Sequence, residues 1–211
     1  MCGRYCTLTE DEITEVRSVI KDISLGLALD EAGTAEDLPV EIAPTNRSPV
    51  IISDGGSLAF ERAKFGFERW DGKGVIINAR SETINQKPMF KNHTGRCVIP
   101  ASGYFEWKNE GGKNKTKYRI KDRHGNLLFM AGLCRNGKAG REFVIITKNP
   151  VHGISDIHDR MPVLLCINQL ESWLNGSMPT GELQGLDYDC AAEPFARPEP
   201  SGALEQMTLG H

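Results

Sequence analysis

The sequence predicts an antiparallel sheet that curls toward a barrel, with helices packed beside it. Three observations lead there. Strand-like runs follow one another from residue 50 to residue 147, separated by turns rich in Gly, Asn and Asp. One amphipathic helix with a full N-terminal capping signature precedes them. The chain has 211 residues, which fits one domain or one domain with a tail.

Thr9-Glu10-Asp11-Glu12 is a capping box, and Ile13, Val16, Ile20 and Ile23 recur behind it at helical spacing. A helix over 9–23 follows, its acidic first turn matched to the helix dipole. Residues 30–41 are acidic and without pattern, a surface loop. Glu41 to Asn46 runs extended into a short strand, Val50–Ile52, and Asp54-Gly55-Gly56-Ser57 reads as a hairpin turn into a second strand, Leu58–Phe67. Trp70 to Gly74 is a loop and Val75–Ile77 a buried strand. Cys97–Pro100 and Ala101–Trp107 are strands, and Asn109–Asn114 turns back into a strand over 116–121. Asp122–Asn126 reads as a second hairpin into 127–133, and Arg141–Thr147 as another strand. Val163–Cys166 is short and apolar. Asn168-Gln169-Leu170-Glu171 caps a short helix that ends near Asn175-Gly176, and Tyr188–Ala191 is one more strand. From Glu193 on the chain is Pro-rich and polar. The division expected is a domain over 1–192 and a partly disordered tail over 193–211.

No run approaches ~18 apolar residues, so no membrane span is expected. Arg4, Glu10, Asp11 and Glu12 occupy the place of an apolar secretory signal. The six cysteines lack CxxC spacing and read as reduced thiols of a cytoplasmic protein, with no metal or other cofactor called for. A net charge of −3 argues against nucleic acid, but residues 87–148 carry 14 Lys/Arg against 4 Asp/Glu. Such a segment makes either a basic face for a phosphate backbone or a set of solvated hairpin loops.

Several residues carry chemistry. Cys2, if Met1 is trimmed, presents an α-amine and a thiol on adjacent carbons, which can capture an aldehyde as an imine and then a thiazolidine. Both groups titrate close enough to neutrality to offer a deprotonated fraction. The plain reading is an incidental second residue. Asn78-Ala79-Arg80-Ser81-Glu82-Thr83 clusters polar groups at a strand end, as sites do. Ser81 could cap a short helix; alternatively the stretch is plain structure, with Asn78 in a turn and Arg80 paired to Glu82 on the surface. Met89 and Phe90 either fill the core or supply an apolar wedge between bases. Glu106 stands alone among Tyr104, Phe105 and Trp107. Buried, it is an acid/base with a raised pKa; on a wet strand face it is ordinary. Ile157-His158-Asp159-Arg160 offers an acid/base with phosphate-binding help, or a structural His. His93, His124 and His152 lie in loops without a partner pattern.

MCGRY at the start, APT at 43–45, INARSET at 77–83, IPASGYFEWK at 99–108 and IHDRMPV at 157–163, in that order, resemble the SOS-response-associated peptidase family. The resemblance spans residues 2–167. It implies a single α+β domain, a curled barrel-like antiparallel sheet with peripheral helices, acting as a monomer. It implies a substrate, the abasic site in single-stranded DNA or at a single/double-strand junction. Cys2 would form the thiazolidine, Asn78 would sit against the adduct, Glu106 would move protons, and His158 would act as acid/base and promote strand cleavage. Arg4 and Arg80 would hold phosphates; Trp70, Met89 and Trp107 would stack on or wedge between bases. The family name adds self-cleavage that exposes Cys2. One departure is the short Phe65–Trp70 stretch, where the family commonly carries prolines before its loop tryptophan.

Two rival readings share parts of this pattern. An N-terminal-nucleophile amidohydrolase would use Cys2 on amides and ignore aldehydes. A non-covalent single-strand binder would use the basic middle segment and be indifferent to Cys2.

Overall fold

Thr9 opens the first helix by the reciprocal bonding its sequence predicts. In a computed structural model describing residues 2–23, 27–54, 57–91, 95–151 and 153–196, the Glu12 N–H donates to Thr9 Oγ1 at 3.3 Å, and the Thr9 N–H donates to Glu12 Oε2 at 2.7 Å. Such a cap is worth about 1 kcal/mol. Ile13, Val16 and Ile20 are fully buried along one stripe, so the helix is held mainly by that face.

In chain order the elements are β1 Arg4–Cys6, α1 Glu10–Ile23, β2 Leu27–Glu31, β3 Glu41–Ile42, β4 Arg47–Asp54, β5 Ser57–Phe65, β6 Phe67–Glu68, β7 Val75–Ile76 and β8 Asn78–Arg80. There follow α2 Pro88–Lys91, β9 Gly95–Ala101, β10 Tyr104–Gly111, β11 Asn114–Asp122, β12 Leu128–Gly137 and β13 Gly140–Lys148. The last are β14 Met161–Pro162, β15 Leu164–Leu165, α3 Ile167–Leu174 and β16 Cys190–Pro194. None of the described helices is long and apolar enough to cross a membrane.

Five strands close a ring in the order β5-β4-β9-β12-β13 and back to β5. Four of its pairings are antiparallel, as expected; the closing one, β13 to β5, is parallel, with Glu142 beside Lys64 and Phe143 beside Phe65. The Phe65 and Phe143 rings stack at 5.1 Å across the seam, adding a specific contact to the two backbone pairs. Gly66, at φ +107, breaks the predicted Leu58–Phe67 strand into β5 and β6, and its N–H donates to the Phe143 carbonyl at 2.7 Å. β8 then continues along the same edge of β13, pairing Asn78 with Ile145 and Arg80 with Thr147.

A second, open sheet runs β16-β11-β10-β1-β3. It corrects one expectation. Asp122–Asn126 is no hairpin, because β11 pairs with β10 and β16 while β12 pairs with β9, β13 and β15. The segment crosses between sheets. Asp122 Oδ1 accepts the backbone N–H groups of His124 and Asn126 and so shapes a turn that looks like a hairpin locally.

Other differences are smaller. The predicted loop 30–41 begins inside β2 and contains a 3-10 turn at Ala35–Asp37. The second short helix is entered at Cys166, whose N–H donates to Gln169 Oε1 at 2.9 Å, and not at Asn168. β16 runs on through Pro194, and Phe195 packs edge-on against Phe105 with centroids 4.9 Å apart. Gly55-Gly56, His93, His152 and the tail from 197 lie outside the described residues.

Candidate active site

The site lies where the barrel meets the open sheet, and the register of β1 on β10 builds it. Arg4 pairs with Phe105 and Tyr5 with Tyr104. Continuing that register sets Gly3 opposite Glu106 and Cys2 opposite Trp107. From the barrel side, Asn78 at the start of β8 donates its Nδ2–H to the Cys2 carbonyl at 3.2 Å. Cys2 is fully buried. Burial, with the Glu106 carboxylate as the next cause, holds its thiol well above the usual range, so the sulfur is a protonated thiol at neutral pH.

Glu106 is 2% exposed, which overturns the wet-face reading. Alternation along β10 is as predicted, but the inner side faces the barrel and not water: Tyr104 is fully buried beside it. Burial pushes the Glu106 carboxyl up to about 7. His158 follows a turn in which its N–H donates to the Ile154 carbonyl. Its Nε2 lies 3.7 Å from Glu106 Oε2. Burial lowers the His158 pKa, so the ring is neutral at pH 7. Its Nδ1 meets two groups of opposite kind, the Arg160 backbone N–H at 3.1 Å and Asp159 Oδ1 at 2.8 Å. A neutral ring satisfies one of them at a time.

Cys2, Asn78, Glu106 and His158 are therefore brought together, and the remaining candidates are spread around them. Arg80 is exposed, and its charge acts on Glu82 only as a minor influence behind Arg160. Glu82 is taken instead by Arg160, which is 7% exposed and cannot be the phosphate-binding cation its sequence context suggested. Ser81 caps no helix: its buried Oγ has no hydrogen-bond partner, and α2 starts at Pro88. Arg4 is half exposed and reaches Glu41 at 3.5 Å. By its pairing with Phe105 it lies on the outer face of the sheet, shared with Trp107, which stands 5.6 Å from the Lys117 ammonium. That face is opposite to the one carrying Glu106.

Trp70 is 96% exposed. With Met89, Ile76, Arg69, Arg135 and Lys138 it borders a cleft of about 670 Å³. Phe90 enters the core, whereas Met89 is half-buried and reaches this cleft. None of the four clustered residues lines it, but Ile76 stands only two positions before Asn78 on the same segment. Sequence reasoning missed Glu82, Thr147 and Asn149 as the partners of Arg160. No local pattern signals them, since each is far from Arg160 along the chain.

Comparisons with known proteins show the family and the fold. A family model described as SOS response associated peptidase (SRAP) matches residues 1–196. The abasic site processing protein YoqW of Bacillus subtilis is 33% identical over 187 residues, covering 83% of this chain and 80% of its own. The abasic site processing protein YedK of Escherichia coli is 29% identical over 182 residues, covering 82% and 79%. A crystal structure of a protein from Bacteroides thetaiotaomicron superposes with a TM-score of 0.70 at 25% identity, over 92% of each chain. With five ordered motifs, a matching fold and a family match over nearly its whole length, the chain belongs to the SOS response associated peptidase family.

Proposed function

We propose that this protein captures abasic sites in single-stranded DNA, or at a single/double-strand junction, as a thiazolidine on Cys2 once Met1 is removed. The abasic substrate is taken from what the relatives YoqW and YedK are named for. The observation that carries the chemistry is the convergence of Cys2 with Asn78, Glu106 and His158 at one seam.

The ring-opened deoxyribose carries an aldehyde. The α-amine of Cys2 adds to its carbon, and loss of one water gives an imine. The thiol then adds to the imine carbon, its proton passing to the nitrogen, and the five-membered ring closes. Glu106, with a pKa near 7, can protonate the departing hydroxyl and later relay the thiol proton to the nitrogen. The same group running backward reverses the adduct. Asn78 orients the Cys2 backbone through the 3.2 Å bond. His158 stands beside it as a second proton-transfer group, placed to act in the step that starts strand cleavage on the 3′ side. Arg80 holds a flanking phosphate and Trp70 stacks on an unpaired base, whereas Arg4 is engaged by Glu41 on the opposite face. Removal of Met1 by the same thiol, with Glu106 as acid and water as the second reactant, is the self-cleavage implied by the family description.

Incubation with abasic and intact oligonucleotides, read on a denaturing gel, tests the reading. A retarded band is expected with the abasic strand only. A band of full intensity from Cys2→Ala would overturn it.

A further inference from the structure

We infer that the Glu82–Arg160 ion pair is the positioning element that fixes His158 in one tautomer and in register with Asn78. The inference rests on the functional reading above, since that reading gives His158 its task.

Arg160 ties three separate segments together. Its Nη1 donates to Glu82 Oε1 at 2.6 Å and to Asn149 Oδ1 at 2.8 Å; its Nη2 donates to Glu82 Oε2 at 2.9 Å and to the Thr147 carbonyl at 2.7 Å. The contact with Glu82 is bidentate, the planar fork that only a guanidinium offers a carboxylate. The Arg160 side chain is 8% exposed and the Glu82 side chain 28%. The Arg160 guanidinium holds the Glu82 carboxyl below its ordinary range. An ion pair this shielded holds its geometry, and removing one partner strands a buried charge.

Two consequences reach the site. Glu82 follows Arg80, the last residue of β8, by two positions, so the pair clamps the segment bearing Asn78 to the segment bearing His158. The clamped Arg160 also presents its own backbone N–H to His158 Nδ1 at 3.1 Å. A donor at Nδ1 requires a lone pair there and leaves the ring proton on Nε2, which faces Glu106 at 3.7 Å. The competing partner, Asp159, is 84% exposed on its side chain and free to turn into solvent. If the clamp is released, the backbone donor is no longer held. Asp159 then accepts from Nδ1, and Nε2 loses its proton. Arg160 thus acts through His158, and Glu82 acts through Arg160.

The test is Glu82→Gln in the full chain, labelled with 15N-histidine. The His158 nitrogen signals are identified by their loss in His158→Asn. Wild type is expected to show a protonated Nε2 and a bare Nδ1. Glu82→Gln is expected to shift the ring toward the Nδ1 proton and to move the midpoint of the pH profile of crosslinking. It should also slow crosslinking of an abasic oligonucleotide roughly tenfold or more, with less than a threefold change in affinity for the intact strand. If Glu82→Gln does not fold, Asn149→Ala, which removes one of the Arg160 side-chain bonds, is read in the same way. An unchanged tautomer and pH profile, with only a lower Tm, would reduce the pair to a structural brace and overturn the inference. So would unchanged nitrogens with altered affinity for the intact strand, which would make the pair a backbone contact. A wild type that forms no crosslink sinks the functional reading but leaves the nitrogen readout to decide this one.

Discussion

Nε2 of His158 faces Oε2 of Glu106 at 3.7 Å across the seam between the two sheets. Burial pushes the carboxyl up to about 7 and lowers the imidazole, so the titrating proton is held by the carboxyl while the ring stays neutral. Glu106→Gln keeps the shape and removes the exchange. Crosslinking should slow by about 10²–10⁴-fold, and the limb of the pH profile with a midpoint near 7 should vanish. Gel time courses between pH 5 and 9 check it. A profile that keeps that limb would assign it to another group.

The same carboxyl links stability to pH. Its folded pKa lies above the ordinary 4.5, so the folded chain holds this proton more tightly than the unfolded chain. Nothing is lost below about pH 4.5. As pH rises toward 7 the unfolded form releases the proton first, and wild-type stability falls by up to about 3 kcal/mol. His158 works in the opposite window: its lowered pKa costs stability only as pH drops below its ordinary 6.5. Glu106→Gln should therefore gain on wild type between pH 5 and 8, as measured by urea unfolding at fixed pH. A constant difference across that range would contradict the assignment.

Cys2→Ser keeps an α-amine but replaces sulfur with a poorer ring-closing nucleophile. It should give an imine trapped by borohydride yet no band that survives heat. A chain carrying an uncleavable residue before Cys2 should give neither. Both should bind an intact single strand within about threefold of wild type, because the phosphate contacts are elsewhere. A heat-stable band from the blocked chain would exclude the amine as the first nucleophile.

Trp70 is 96% exposed and contributes little to the core. Trp70→Ala should leave Tm unchanged and weaken single-strand binding by about 5–150-fold, the range of one stacked base. Arg80→Ala should weaken binding evenly across sequences and flatten the salt dependence by roughly one phosphate. Fluorescence anisotropy over a salt series separates the two. Loss of Tm in Trp70→Ala would make that ring structural.

Gly132 lies where β12 passes β9 and β13. A Cβ there would come within 2.5 Å of Ile99 Cδ1 and 2.8 Å of both Cys97 Sγ and the Val144 carbonyl oxygen. Gly132→Ala should destabilise the barrel by about 1–3 kcal/mol with little effect on the remaining active fraction. Thermal melts with a titration of active sites test this.

Much of the fold was legible where the physics is local. The capping box at Thr9 and the Ile13, Val16, Ile20 stripe need only neighbouring residues, and the helix forms where they say. The strands were legible for the same reason, through alternation and turn chemistry. Asp122–Asn126 was misread because a turn reports how the chain bends and not which strand it will pair with. The fate of Arg160 was illegible as well: its charge pointed to phosphate, and only Glu82, brought from the far side of the barrel edge, redirects it.

By itself, then, the order of residues determined α1 and α3, most strands, the family and the identity of Cys2, Asn78, Glu106 and His158 as a candidate set, but not α2. Closure of β13 onto β5 and the seam with the open sheet decided the rest: that Glu106 is dry and proton-hungry, that His158 faces it, and that Arg160 is taken by Glu82. A side chain's pKa depends on what solvates it, and that is set by contacts between segments far apart in the chain.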